Sequence, residues 1–186
     1  MSHEYVAERK RNALVNTSTG ARVLSAVMLP WFIIWPPKAF GVLTTTGRKT
    51  GKPRRKCVRV IRVSDTAYLV SIRSASWLHN IRANPKVRLR LRGGRVEGAA
   101  RELSEANDKE QAIAAYCSTV SRFDYFECLA WCKGRPTRSK IEELHQTWCD
   151  VGTILGVDLH ERTPNRHKRL GEKAAGRARN RRSAPK

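Results

Sequence analysis

Hydrophobic positions along the chain change period three times. Residues 1–20 are polar and mixed, without periodicity, and read as a flexible N-terminus. Ala21–Trp35 is almost continuously apolar and predicts a short helix that Pro36 and Pro37 terminate. Strand-like runs follow: Phe40–Thr45, Lys56–Val63 and Ala67–Ile72, separated by a Gly- and Pro-bearing turn at Gly47–Pro53 and by Ser64–Asp65. Ser76–Ala83 predicts a brief helix ended by Asn84–Pro85. Lys86–Arg92 then alternates strictly, with Val87, Leu89 and Leu91 on one face and Lys86, Arg88, Arg90 and Arg92 on the other. Gly93–Gly94 is a hairpin turn into Arg95–Arg101.

From Ser104 the period becomes helical. Ser104 is placed to cap a helix reaching about Val120, and Phe123–Lys133 is a second apolar stretch. Ser139 with Glu142 suggests a capping box ahead of the stripe Ile141, Leu144, Trp148 and Val151. That helix is expected to end near Gly152 or Gly156. Short strands with tight turns favour a small antiparallel barrel. The expectation is a mainly β chain with helices (α+β), in which 21–160 form one domain and 104–160 its helical C-terminal part. Residues 161–186 are polar and basic, and are expected to form a disordered tail.

Charge narrows the partner class. Among 186 residues, 37 Lys and Arg face 16 Asp and Glu, for a net charge of +21. The tail from Glu161 carries +8 of this, so the body is basic on its own account. Such a field calls for an anionic partner: nucleic acid, anionic lipid, or a phosphorylated or polycarboxylate small molecule. The five cysteines are not spaced like a secreted disulfide scaffold, which points to a reducing cytoplasm. The thirteen residues of the apolar run Val23–Trp35, with Pro30 inside it, fall short of the ~20 that span a bilayer. They also lack a signal-peptide cleavage pattern. With Lys10, Arg11 and Arg22 ahead of them and Trp31 and Trp35 among them, they suit either a helix over a barrel end or contact with the inner face of the cell membrane.

Two segments carry candidate chemistry. Leu43-Thr44-Thr45-Thr46-Gly47-Arg48-Lys49-Thr50-Gly51-Lys52-Pro53-Arg54 runs a strand into a turn rich in hydroxyls, amides and cations. Its spacing is not that of a P-loop. It reads either as an anion site or as a solvated basic turn. In Ser71–Val87, small polar residues precede Trp77 at a strand-to-helix junction, where backbone amides suit an anion or a ring carbonyl. The bland reading is a short helix with Trp77 in the core. A third set, Cys128, Cys132, His145 and Cys149, has a zinc-finger count, but its apolar flanks favour core packing. The arginine-faced strand and tail permit nucleic-acid contact, chiefly non-specific contact through the tail, without a recognisable reading motif.

Taken together in this order, Leu-Thr-Thr-Thr-Gly-Arg-Lys-Thr-Gly-Lys-Pro-Arg and Trp-Leu-His-Asn-Ile-Arg-Ala-Asn-Pro-Lys-Val resemble the deazaflavin-dependent nitroreductase family of actinobacteria, over roughly residues 41–104. The resemblance implies a split β-barrel of the FMN-binding, pyridoxamine-phosphate-oxidase-like kind. It implies coenzyme F420, a deazaflavin with a phosphate and an oligoglutamate tail, with FMN as the alternative. It implies hydride transfer from the reduced coenzyme to a quinone, nitro compound or related small-molecule acceptor. By this likeness Thr46, Arg48, Lys49, Thr50, Lys52 and Arg54 would hold the phosphate and acidic tail. Ser74, Ala75, Ser76, Trp77 and Asn80 would flank the ring. The segment Arg73-Ser74-Ala75-Ser76 is shorter than the family's Gly-Gly loop, and the C-terminal helices depart from its Tyr-rich end. The proton donor is therefore open, with Tyr116 and Tyr125 as candidates more easily read as structural. Catalytic residues and oligomeric state do not follow from the likeness.

Overall fold

The structure, a computed structural model, describes residues 18–72 and 75–160. The expectations for residues 1–17, for Arg73 and Ser74, and for the basic tail 161–186 lie outside the described residues. The strands are β1 Phe40–Thr46, β2 Pro53–Arg59, β3 Ile61–Val63, β4 Thr66–Ser71, β5 Lys86–Leu91, β6 Gly94–Glu102 and β7 Thr153–His160. The helices are α1 Ser18–Ile34, α2 Ser76–Ala83, α3 Ala106–Ser118, α4 Arg122–Trp131 and α5 Arg138–Val151.

All strand pairs are antiparallel, in the order β2-β1-β5-β6-β7-β4-β3. The two ends of that order, β2 and β3, are separated in sequence by Val60 alone. One continuous run therefore pairs with β1 in its first half and β4 in its second, and the sheet curls round to meet itself. This is the split barrel expected from the sequence.

Period two sorts the side chains into separate cores. Leu43, Leu69, Leu89, Leu155 and Val157 fill the barrel, and Leu78 and Ile81 of α2 join them there. The alternate residues Ile61, Tyr68 and Ile154 face outward and are covered by Tyr116 of α3 and by Trp148 and Cys149 of α5. Phe32 of α1 lies over Phe40 and Val42 on the outside of β1, with Phe123 edge-on at 5.3 Å.

Three local expectations change. Residues 153–160 continue no helix: they form β7, wedged between β6 and β4. After a helix and between Gly152 and Gly156 this run reads as a frayed helix end, and only its two neighbours turn it into a strand. The N-terminus of α5 is capped by Thr137, whose Oγ1 accepts from Lys140 N at 3.3 Å, rather than by Ser139 with Glu142. Ser104 caps nothing, for Glu105 holds the N-cap position of α3. The arginine face of β5 is only partly open. Arg90 Nε donates to Ile33 O at 3.3 Å near the C-terminus of α1, and Arg92 lies 5.5 Å from the ring centre of Trp35. A cation near a helix C-terminus complements the helix dipole there.

Candidate active site

The turn between β1 and β2 is tied together by its own backbone. Gly47 N donates to Lys52 O at 2.9 Å, and Gly47 O accepts from Thr50 N and Gly51 N at 3.2 and 2.7 Å. Gly51 has φ +65°, a left-handed conformation that glycine enters without strain. A Cβ at Gly47 would lie 3.0 Å from Lys52 O and 3.2 Å from Thr50 Oγ1, so the loop closes on a residue with no side chain. Thr50 Oγ1 accepts from Lys52 N at 3.4 Å. Arg48, Lys49, Lys52 and Arg54 are exposed around the turn.

Asn80 locks this turn to the second motif. It is 5% exposed. Its Oδ1 accepts from Arg48 N at 3.2 Å, and its Nδ2 donates to Thr45 Oγ1 at 3.1 Å. The side chain is therefore a tether from α2 to β1 and the turn. Ala75, at the N-cap of α2, precedes a first turn that has no side-chain cap. Leu78 N and His79 N donate to Ala75 O at 3.0 and 3.3 Å, which leaves the amides of Ser76 and Trp77 without an intrahelical acceptor. Trp77 is half-buried against the barrel core.

These pieces border one cavity of about 1000 Å³. Gly47, Arg48, Lys49, Thr50 and Arg54 line one end, and Ala75, Ser76, Trp77 and Asn80 line its side. Thr46 and Lys52 belong to the turn but do not line the cavity, and Ser74 is outside the described residues. Arg55 and Lys56 extend the cationic rim beyond the residues singled out in the sequence.

The inner end is polar and buried, and is drawn from β2, α3, α4 and α5. Arg59 donates to Asp124 and to the carbonyl oxygens of Tyr116 and Thr119, and its guanidinium lies 4.8 Å from the Tyr116 ring centre. Asp124 also accepts from Ser121 N, closing the capping box of α4. His145 Nε2 is 3.7 Å from Asp124 Oδ1, and neither ring nitrogen has a hydrogen-bond partner. Burial, reinforced by the Arg59 charge, depresses the His145 pKa to about 3, so the imidazole is neutral. Glu127 lines the cavity, and its buried Oε2 has no hydrogen-bond partner. Burial raises its pKa to about 8 despite the attraction of Arg59, with Asp124 adding to the rise. Tyr116 is buried and its hydroxyl is pushed well above the usual range by desolvation, whereas Tyr125 is 40% exposed.

The cysteine–histidine set is not gathered as four. Burial and its neighbour Cys132 push the Cys128 thiol up to about 12, while Cys149 is raised by its contact with Cys117. Ligand-type atoms of Asp124, Glu127 and His145 do lie within 4.8 Å of one another. A metal ion there would meet the Arg59 guanidinium already seated on Asp124, so the donor set fits a salt-bridged polar floor better than a cation site.

Sequence reasoning missed Arg59, Asp124 and Glu127, and weighed His145 only as a zinc ligand. The available signal was weak: acids inside the apolar run 123–131, and a histidine on the stripe of Ile141 and Trp148.

A family model described as F420H(2)-dependent quinone reductase matches residues 33–126, just over half of the chain. Similar solved structures include one described as an F420-H2 dependent reductase, at 22% identity and TM-score 0.43, covering 64% of this chain and 94% of that one. A putative pyridoxamine 5'-phosphate oxidase from Listeria innocua has 15% identity and TM-score 0.39, covering 74% and 94%. A FAD-binding protein from Mesorhizobium loti has 17% identity and TM-score 0.43, covering 74% and 91%.

Proposed function

This chain belongs to the F420H(2)-dependent quinone reductase family, and from that premise we propose how its cleft divides the work. The protein is an F420H2-dependent oxidoreductase whose cofactor is coenzyme F420 and whose acceptor is a small molecule. When bound, the coenzyme supplies the hydride. The protein contributes binding, orientation and exclusion of water.

One observation carries the assignment of parts: a single cavity joins a cationic, glycine-closed turn to a slot walled by Trp77 and the first turn of α2. The donor set suits a polyanionic flavin analogue. Arg48 can clamp a phosphate or carboxylate in two-pronged fashion, and Lys49 and Arg54 add point attraction. Thr46, Thr50 and Lys52 support the shape and charge of the same turn. Ala75 and Ser76 bring helix-end amides to ring carbonyls, and Trp77 supplies a flat wall. Asn80 keeps the two halves in register. Quinone and nitro compounds are the acceptors this reading favours, and the aromatic lining side chains Phe40, Phe123 and Trp148 suit them.

Fluorescence titration of the full chain with coenzyme F420 tests this reading, with FMN and single-stranded DNA as parallel ligands. Saturable F420 binding that weakens in Arg48→Ala is the expected result. Preference for FMN or DNA would reassign the cleft.

The membrane reading has its own support. Val27, Trp31, Ile34 and Trp35 of α1 and its C-terminal edge are 59–73% exposed. Phe126 and Leu129 of α4 are also exposed, and a second cavity lined by Trp31, Trp35 and Phe126 separates the two helices. No helix among the described residues is long and apolar enough to cross a membrane. This face would rest on a lipid surface, where an apolar quinone concentrates. Sedimentation with anionic vesicles, reduced by Trp31→Ser with Trp35→Ser, is the check.

A further inference from the structure

The family-matched motifs explain the rim of the cleft and leave its inner end without a task. Reduction of a quinone to a hydroquinone needs a proton as well as a hydride. Besides Arg59 Nε and Ser121 Oγ, buried side-chain atoms of Glu127 and His145 have no hydrogen-bond partner, and these two residues differ in what they offer. His145 is fully buried behind Asp124, between Tyr116 and Trp148, with ring centres at 5.6 and 5.8 Å, and does not line the cavity. Glu127 does line it, in the same space as Ala75 and Trp77.

The surroundings of Glu127 withhold the usual means of ionising a carboxyl. The nearest cation, Arg59 of β2, is committed to Asp124 and to two backbone carbonyls. From α4 it is faced by Asp124 and its neighbour Cys128, from α3 by Tyr116, and from α5 by His145. None of these offers a second positive charge: Asp124 is the anion of the pair, and His145 and Tyr116 are neutral.

We propose that Glu127, which lines the cleft and whose buried Oε2 has no hydrogen-bond partner, is the acid that delivers a proton to the acceptor during its reduction. The proposal rests on the coenzyme reading above and adds the proton route that reading lacks. The acceptor gains a hydride from the reduced coenzyme and a proton from Glu127, whose O–H bond breaks as the acceptor's O–H bond forms. The ring N–H proton released when the coenzyme is oxidised restores the carboxyl, so that two electrons, protons and charge balance. With its pKa raised to about 8, the group holds its proton at neutral pH and still lies close enough to the working range to give it up.

The test uses the full chain, Glu127→Gln and Glu127→Asp. Glutamine keeps the shape and the neutral state, and removes only the transferable proton. Infrared spectroscopy of the coenzyme-free protein is expected to show a protonated-carboxyl band that is lost in Glu127→Gln and disappears as pH rises through about 8. Glu127→Gln should bind F420 like the parent and reduce menadione roughly a hundredfold or more slowly, within the range of lost acid catalysis. KM for menadione should change little, the alkaline fall in rate should vanish, and Glu127→Asp should recover part of the rate. Normal F420 binding with unchanged turnover in Glu127→Gln would overturn the proposal alone. So would an infrared band that survives the substitution. Failure of the parent chain to bind F420 would overturn the coenzyme reading and the proposal with it.

Discussion

The rim and the floor of the cleft solve opposite electrostatic problems. At the rim, Arg48, Lys49 and Arg54 stand in water on a turn that backbone hydrogen bonds shape, and their charge is available to a ligand. At the floor, Arg59 is 5% exposed and its charge is consumed internally by Asp124 and two carbonyls. Charge in water is screened and cheap to keep, so the rim can be built for a polyanion at little cost to stability. Charge out of water has to be neutralised on the spot, so the floor is a structural commitment first. The same residue type, arginine, stands open to solvent in one place and is a beam in the other.

The sharpest way to break this contrast is to remove one partner at the floor. Asp124→Ala leaves a buried guanidinium unpaired and is expected to cost about 3–5 kcal/mol of folding stability. Chemical denaturation measures it. If Arg59 were as expendable as a rim arginine, the midpoint would barely move.

The pH dependence of stability comes next. The folded-state pKa of His145 is depressed from 6.5 to about 3. Below 6.5 the unfolded chain takes up a proton that the folded chain refuses, so this contribution is lost as pH falls toward 3. Glu127 is shifted the other way, from 4.5 to about 8, and its term makes the fold less stable as pH rises across that interval. Between 4.5 and 6.5 the two oppose each other, each with a slope of at most about 1.4 kcal/mol per pH unit. Glu127→Gln should therefore expose an acid-side loss of stability in that window, and His145→Gln a loss in the opposite direction. Thermal melts across pH 4–8 read both.

Asn80 joins the two regions in kind, being a buried amide that organises the exposed turn. Asn80→Ala removes hydrogen bonds to Arg48 N and Thr45 Oγ1, and is expected to cost about 1–2 kcal/mol in stability. It should weaken F420 binding as well, because the turn loses its tie to α2. The smallest effect on folding belongs to Arg48→Ala. Its melting temperature should match the parent, while coenzyme affinity falls roughly tenfold and becomes less sensitive to salt. Calorimetric titration at two salt concentrations checks this, and equal salt slopes would remove Arg48 from the coenzyme's path.

How much of this was legible beforehand differs between the two regions for a physical reason. A turn is a local object: Gly47 through Pro53 carry their chemistry in consecutive residues, and Trp77-Leu78-His79-Asn80 places its buried and lining positions within one helical turn. Even so, the role of Asn80 as a tether needed the fold, since Arg48 lies 32 positions away. Arg59 and Asp124 are 65 positions apart, and each reads alone as an ordinary surface charge.

The same division runs through the whole molecule. By itself the sequence determined where most elements begin and end, which face of β5 is buried, and the cationic character of the turn. Helical periods, alternation and glycine- or proline-bearing turns act over a few residues, and each leaves its mark in the local pattern. Only the tertiary structure decided that Thr153–His160 is a strand, that the run holding β2 and β3 divides at Val60 to pair with β1 and then β4 and so closes the barrel, and that four separate elements meet in a buried polar floor. Those outcomes depend on partners remote in the chain: an edge that must be paired, and a buried charge that must be met.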